Sequence, residues 1–341
     1  MRSPATLVAS AALLVAGGAA PAAASVVTQF PVPTKHAEPL AITPGTHGDL
    51  WFSEYGANRI GRITTKGRVT EYRFPTLKRP GRVVTARDGS IWVAGTNRFA
   101  RVTLRTRPGR RAVAKIVEFH KPTQGFQGQV TSLAASPDGS VWYAGFGCYG
   151  QISPAGKVAE HVDRASLGGR SIAVTPQGAV WLSSGTGAIA RLGSDGTPAQ
   201  SLQVPADPAP VAGVARAAGV GPLVAAPDGS VWMRVGYGAA QNADTARVIR
   251  MAPSGAMAAP AVDAAALRVI AGPGGSVWYA TGSDPWSLDP AGPAGEATKT
   301  YAPFRARGPL LSFAPDDRGD FWFTQGSANA IGRVRLTPAA P

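Results

Sequence analysis

The chain has 341 residues, 42 glycines, 30 prolines and 16% charged residues, with 44% hydrophobic content. That apolar content excludes a disordered tail, and the glycine and proline load points to many turns and little helix. The formal charge of +14 comes from 34 basic and 20 acidic residues, and it favours anionic surfaces or ligands as partners.

The first 24 residues read as a secretory signal peptide. Arg2 supplies the charge, Leu7–Ala16 the apolar stretch and Ala22-Ala23-Ala24 a small-residue cleavage site before Ser25. The apolar stretch is too short to span a bilayer, and no later segment could. A secreted product is expected, in the extracellular space or the cell envelope, which argues against intracellular nucleic acid. Cys148 is the single cysteine, so no intramolecular disulfide can form.

Glu38–Pro75 sets a pattern. Four short β-branched and aromatic runs, LAIT, DLWFSE, RIGRIT and RVTEYRF, are separated by turn residues. The second run recurs along the chain. Trp51, Trp92, Trp142, Trp181, Trp232, Trp278 and Trp322 each follow a glycine turn, at spacings of 41, 50, 39, 51, 46 and 44 residues. Seven units of four strands predict an all-β fold, a seven-bladed β-propeller of four-stranded antiparallel blades, as one domain over 25–341. Trp286 falls outside the register. The last unit has only three strand-like runs, and Val26–Pro31 reads as a stray fourth. The N-terminal strand is therefore expected to complete the seventh blade and close the ring, which removes a sheet edge. A monomer is expected.

In such blades the entry into the first strand and the loop after the Trp strand share one face, where ligand sites gather. Three residues after each Trp stand Glu54, Gly95, Gly145, Ser184, Val235, Thr281 and Gln325, a single carboxylate. Eleven before each Trp stand Leu40, Gly81, Thr131, Arg170, Gly221, Leu267 and Leu311. A longer turn in unit 7 shifts the expected equivalent there to Leu310. Arg79, Arg170, Arg268 and Arg307 lie at first strands or their entries, and His36 and Glu38 enter unit 1. Arginine forks suit carboxylates, phosphates and sulfates. The arginines and His36 are the ligand-binding candidates, for a small molecule or an anionic extracellular polymer. A basic hairpin, Arg101–Lys115, offers an alternative polymer-binding surface.

The unit PxxIxxxxxGxLWFxExxxNxIGRIT…GxxxEYxxP resembles that of the virginiamycin B lyase (streptogramin B lyase) family, closely in Glu38–Pro75 and again in ANAIGRV of unit 7. The resemblance implies a seven-bladed propeller that opens a cyclic depsipeptide by Mg²⁺-assisted elimination, with a histidine base and carboxylate ligands. Carried over by position, Glu54 matches the family carboxylate, and Glu38 could join it as a metal ligand. The family's histidine positions hold Leu40, Gly81 and Leu310, so no catalytic residue is assigned. The expectation is a ligand-binding or catalytically degenerate propeller, with a Mg²⁺-dependent lyase as the alternative.

Overall fold

The computed structural model describes residues 25–105, 112–123, 129–162, 171–184, 187–205, 218–237, 246–260, 267–281, 285–292, 301–306 and 308–338. Strands in these residues form seven antiparallel sheets, six of them meanders of strands consecutive in the chain. Blade 1 is Pro39–Pro44, Asp49–Glu54, Arg59–Thr64 and Val69–Arg73. Blade 2 runs from Arg82–Thr85 to Val113–His120, and blade 3 from Val130–Ala135 to Val158–Val162. Blades 4 and 5 begin at Ser171–Val174 and Ala218–Ala225.

Blade 7 comprises Phe313–Pro315, Phe321–Gln325 and Ala330–Arg335, and its fourth strand is Val26–Pro31, paired from Val26↔Arg335 to Pro31↔Ala330. The expected closure by the N-terminal strand is thus present. In blade 6 the described residues hold three strands, Leu267–Ala271, Val277–Thr281 and Leu288–Pro290, and residues 293–300 beyond them lie outside the described residues. Tyr301 stacks on Trp278 with ring centroids 5.6 Å apart, as Tyr72 stacks on Trp51 in blade 1. Trp286, outside the sequence register, is buried where blade 6 meets blade 7.

Strand alternation explains why one tryptophan per unit suffices. Successive side chains point to opposite faces of a blade. Each register Trp is buried against the following blade, and the residue after it against the preceding one. Trp51 packs with Ile91 and Val93 of blade 2, whereas Leu50 and Phe52 pack with Trp322 and Ile331 of blade 7. Seven such clusters, one per junction between blades, replace a single central core. The glycine of IGR is required by this packing: a Cβ on Gly61 would lie 2.1 Å from Cζ of Phe52, and one on Gly332 2.1 Å from a ring carbon of Phe323.

Many arginines turn out to be structural. Arg62 pairs with Asp49 at the start of its Trp strand, and Arg101 and Arg250 pair with Asp88 and Asp228 of the turns before theirs. Arg101, Arg250 and Arg333 also lie 5.8, 5.8 and 5.4 Å from the ring centroids of Trp92, Trp232 and Trp322. The remainder of the basic hairpin, residues 106–111, lies outside the described residues. No helix among the described residues is long and apolar enough to cross a membrane.

Candidate functional site

The first strands line the central channel, and the channel opens at two mouths. The lower mouth is lined by the turns before the Trp strands, among them Gly45, Gly272, Pro273 and Pro315, around a cavity of about 690 Å³. The upper mouth is where the first-strand entries and the loops after the Trp strands converge. A cavity of about 550 Å³ there is lined by His36, Glu38, Leu40, Tyr55, Gln129, Leu311, Gly326, Ser327 and Asn329. A smaller one of about 80 Å³ shares Leu40, Tyr55 and Gln129 and continues to Arg79, Gly81 and Arg82.

Two asparagines hold this mouth. Asn329, after the Trp strand of blade 7, accepts from the Ala37 N–H at 2.8 Å and donates to the carbonyls of Val32 and Thr34 at 3.1 and 2.9 Å. Asn58, its counterpart in blade 1, accepts from the Arg79 N–H at 2.8 Å. The positive-φ residues other than glycine among those described all lie here: His36, Glu38, Asn58, Arg79 and Asn329, between 46° and 55°. Asparagine adopts this conformation readily, but Glu38 and Arg79 hold it directly before a proline. Each such residue costs about 1–3 kcal/mol, and such strain gathers at binding and active sites.

A second set of contacts clamps each entry to the blade it enters. The Glu71 carboxylate accepts from the Thr34 N–H and hydroxyl, both at 2.9 Å. Glu118 accepts from the Thr76 and Leu77 N–H groups at 3.0 Å and from the Thr76 hydroxyl. Glu160 accepts from the hydroxyls of Thr123 and Tyr143. Each threonine follows a proline at the end of one outer strand, and its glutamate lies on the next outer strand. The sequence signal is three Pro-Thr dipeptides, at 33–34, 75–76 and 122–123, which the strand pattern alone does not mark.

The expected site residues divide. His36 and Glu38 are exposed at the upper mouth, and Arg79 reaches it with its guanidinium 5.7 Å from the Tyr55 ring centroid. No ion pair among the described residues uses Arg79. Arg268 donates to the Leu310 carbonyl at 2.8 Å, bridging blades 6 and 7. Arg170 and Arg307 lie outside the described residues. The expected shift to Leu310 is corrected. Ala314 pairs with Trp322 as Thr43 pairs with Trp51, so the turns of units 7 and 1 have equal length. Leu311 therefore lines the mouth, and Leu310 is fully buried.

Glu54 does not reach the mouth. It lies on the face that packs toward the segment from blade 7, fully buried, with neither oxygen receiving a hydrogen bond from a backbone, amide, hydroxyl or cationic donor, and with the Glu71 carboxyl within hydrogen-bond reach. Burial, then the Glu71 carboxylate, push it up to about 8 against the pull of Arg59. Its expected partner Glu38 is exposed beside Gly56, with its carboxyl carbon 3.2 Å from where a Cβ on that glycine would sit, whereas Glu54 is fully buried. The described residues contain no group of three or more His, Cys, Asp or Glu side chains placed to hold a metal. A Mg²⁺ site needs near-octahedral oxygen ligands and room for its waters, and these two carboxylates do not fit that requirement. Cys148 is buried between blades 2 and 3, where desolvation pushes its thiol up to about 11, so it offers no thiolate.

The fold and mouth define a seven-bladed β-propeller with a ligand-sized opening lined from blades 7, 1 and 3, continuing to blade 2. The model of the virginiamycin B lyase family matches residues 19–104, so that stretch is similar to the family. A streptogramin B lyase structure superposes with a TM-score of 0.67 at 17% identity, covering 92% of this chain and 98% of that one. Virginiamycin B lyase from Staphylococcus aureus gives 0.69 at 18%, covering 92% and 100%. Hydrazine synthase from Kuenenia stuttgartiensis gives 0.63 at 13%, covering 91% and 97%. At these identities the likeness shows the fold alone, and a propeller hosts unrelated chemistries.

Proposed function

We propose that this chain is an exported, monomeric ligand-binding propeller that takes an anionic ligand at its upper mouth. The carrying observation is Arg79: its guanidinium stands over Tyr55 at the mouth, outside the ion pairs of the described residues. Leu40 and Leu311 give the neighbouring wall an apolar surface, and Gln129 and Ser327 add neutral polar groups. An acid carried on an apolar or aromatic body suits this combination. About 550 Å³ is the size of a small-molecule pocket, which also admits the end of a polymer. The test is a thermal-shift and calorimetric screen of aromatic and aliphatic carboxylates, phosphates and sulfated sugars. Binding that is lost in Arg79→Ala supports the reading, and absence of any stabilisation by these anions overturns it.

The lyase reading has one observation in its favour, the family match over residues 19–104. Elimination at an ester needs a base at the acidic carbon–hydrogen bond. Leu40 in the first strand of blade 1, and Gly81 and Leu311 just before those of blades 2 and 7, line the mouth where the family places its histidines. His36 is the one histidine at this opening, on the entry segment rather than a strand. The binding reading therefore ranks first.

A further inference from the structure

We propose that Glu54 and Glu71 share a proton where the family resemblance calls for a cation, and that this proton fastens the segment carrying His36 and Glu38 over the upper mouth. The pairing register supports the first half. Phe52 pairs with Gly61, which pairs with Glu71; Phe323 pairs with Gly332, which pairs with Gln29. Gln325 stands three residues after Trp322 as Glu54 stands three after Trp51. Gln29 and Gln325 therefore occupy in blade 7 the places that Glu71 and Glu54 hold in blade 1. The amide pair is hydrogen-bonded, Gln29 Nε2 donating to Gln325 Oε1 at 2.6 Å. Two carboxyl groups can reproduce a donor–acceptor contact only if one retains its proton.

The surroundings favour a proton over an ion. Glu54 is fully buried and its two oxygens lack donors, so an ionised form would be stranded without compensation. The charges acting on it are Glu71, from the fourth strand, and Arg59, from the third. Lys35, His36 and Glu38, on the overlying segment, are exposed. Glu71 already accepts twice from Thr34, and among the described residues no third His, Cys, Asp or Glu joins the pair to complete a metal site.

The second half follows from what Glu71 holds. Its contacts with Thr34 anchor one end of the segment, and Asn329 anchors Ala37 near the other. Loss of the shared proton would set two carboxylates against each other and weaken the Thr34 anchor, so the mouth would loosen as pH rises. That consequence for ligand binding rests on the proposed function, whereas the proton does not.

The test uses the whole chain labelled with ¹³C at glutamate carboxyls. One carboxyl resonance is expected to titrate near pH 8 and to be missing from Glu54→Gln. Amide protection at Thr34 and Ala37 is expected to fall about tenfold between about pH 6 and about pH 9 in the wild type, one unit of coupling, and to stay level in Glu54→Gln. Glu71→Gln provides a second variant and should also abolish the late titration. The proposal is overturned if every glutamate titrates in the ordinary acid range. It is equally overturned if millimolar Mg²⁺ alone shifts the Glu54 resonance and raises the melting temperature of wild type but not of Glu54→Gln. Both readouts are made without ligand, so their failure is separate from failure of Arg79-dependent binding.

Discussion

Replacing Phe30 by alanine probes the closure of the ring. The Phe30 ring stacks on Trp322 at 5.4 Å, with interplanar angle 20°, and the Arg333 guanidinium lies 5.9 Å from its centroid. It also touches blade 1, since a Cβ on Gly67 would fall 2.1 Å from Cε1 of Phe30. Full truncation of a buried Phe costs about 3–5 kcal/mol. Phe30 is half-buried, so we expect about 2–3 kcal/mol, stacking included. For a domain of this size that corresponds to a fall in Tm of about 3–5 °C. Urea denaturation followed by tryptophan fluorescence reads the loss directly. Tyr72→Ala is the control: Tyr72 stacks on Trp51 at 5.7 Å in the same place in blade 1, but its strand is held by a local hairpin. If the N-terminal strand closes the ring, Phe30→Ala costs at least as much as Tyr72→Ala. A loss below about 0.5 kcal/mol for Phe30→Ala, the level of a neutral surface change, beside a clear loss for Tyr72→Ala, would refute closure by this strand.

Four further outcomes can be checked. Gly61→Ala should cost about 1–3 kcal/mol in chemical denaturation, because its Cβ would overlap the Phe52 ring. Burial works to raise Glu118, but the Thr76 hydroxyl and the Thr76 and Leu77 amides outweigh it and hold the acid below its ordinary range. Glu118→Gln should therefore destabilise by about 1–2 kcal/mol at neutral pH, with the difference fading as pH falls through the native-state pKa. Glu54 has the opposite sign. Its native pKa is raised from 4.5 to about 8, so its stability contribution is full below about 4.5 and is lost progressively up to about 8. Relative to Glu54→Gln, the wild type should lose stability on going from acid to mildly alkaline pH, read as diverging urea midpoints. Arg79→Ala should abolish binding of an anionic ligand while leaving Tm within about 1–2 °C, as expected of an exposed side chain.

The fold was legible because its signals are local. Each Trp, its glycine turn and the alternation around it lie within a few residues, and seven copies repeat the message. Closure was legible because Val26–Pro31 reads as a fourth strand and unit 7 lacks one. The site was less so. Glu54 was expected at the mouth, but second-strand side chains in a propeller point to neighbouring blades, and in blade 1 the residue beyond the strand, Tyr55, reaches the opening. The Thr34–Glu71 and Thr76–Glu118 clamps join residues 37 and 42 positions apart on neighbouring blades, beyond the reach of any local pattern. The fixed offset from Trp proved more reliable than turn counting at Leu311. Gln129, directly before the first strand of blade 3, carries no periodic signal.

The most direct measurement is incubation of the whole protein with a streptogramin B depsipeptide and Mg²⁺ at high protein concentration. Elimination breaks the ester carbon–oxygen bond and moves one proton to a base, so the linear product is an isomer of equal mass. Chromatography with tandem mass spectrometry, rather than intact mass, must therefore separate it. With Leu40, Gly81 and Leu311 lining the mouth where the family places its histidines, the ring is expected to remain intact. Appearance of the linear isomer, dependent on Mg²⁺ and lost in Glu54→Gln, would contradict both the binding role and the shared proton.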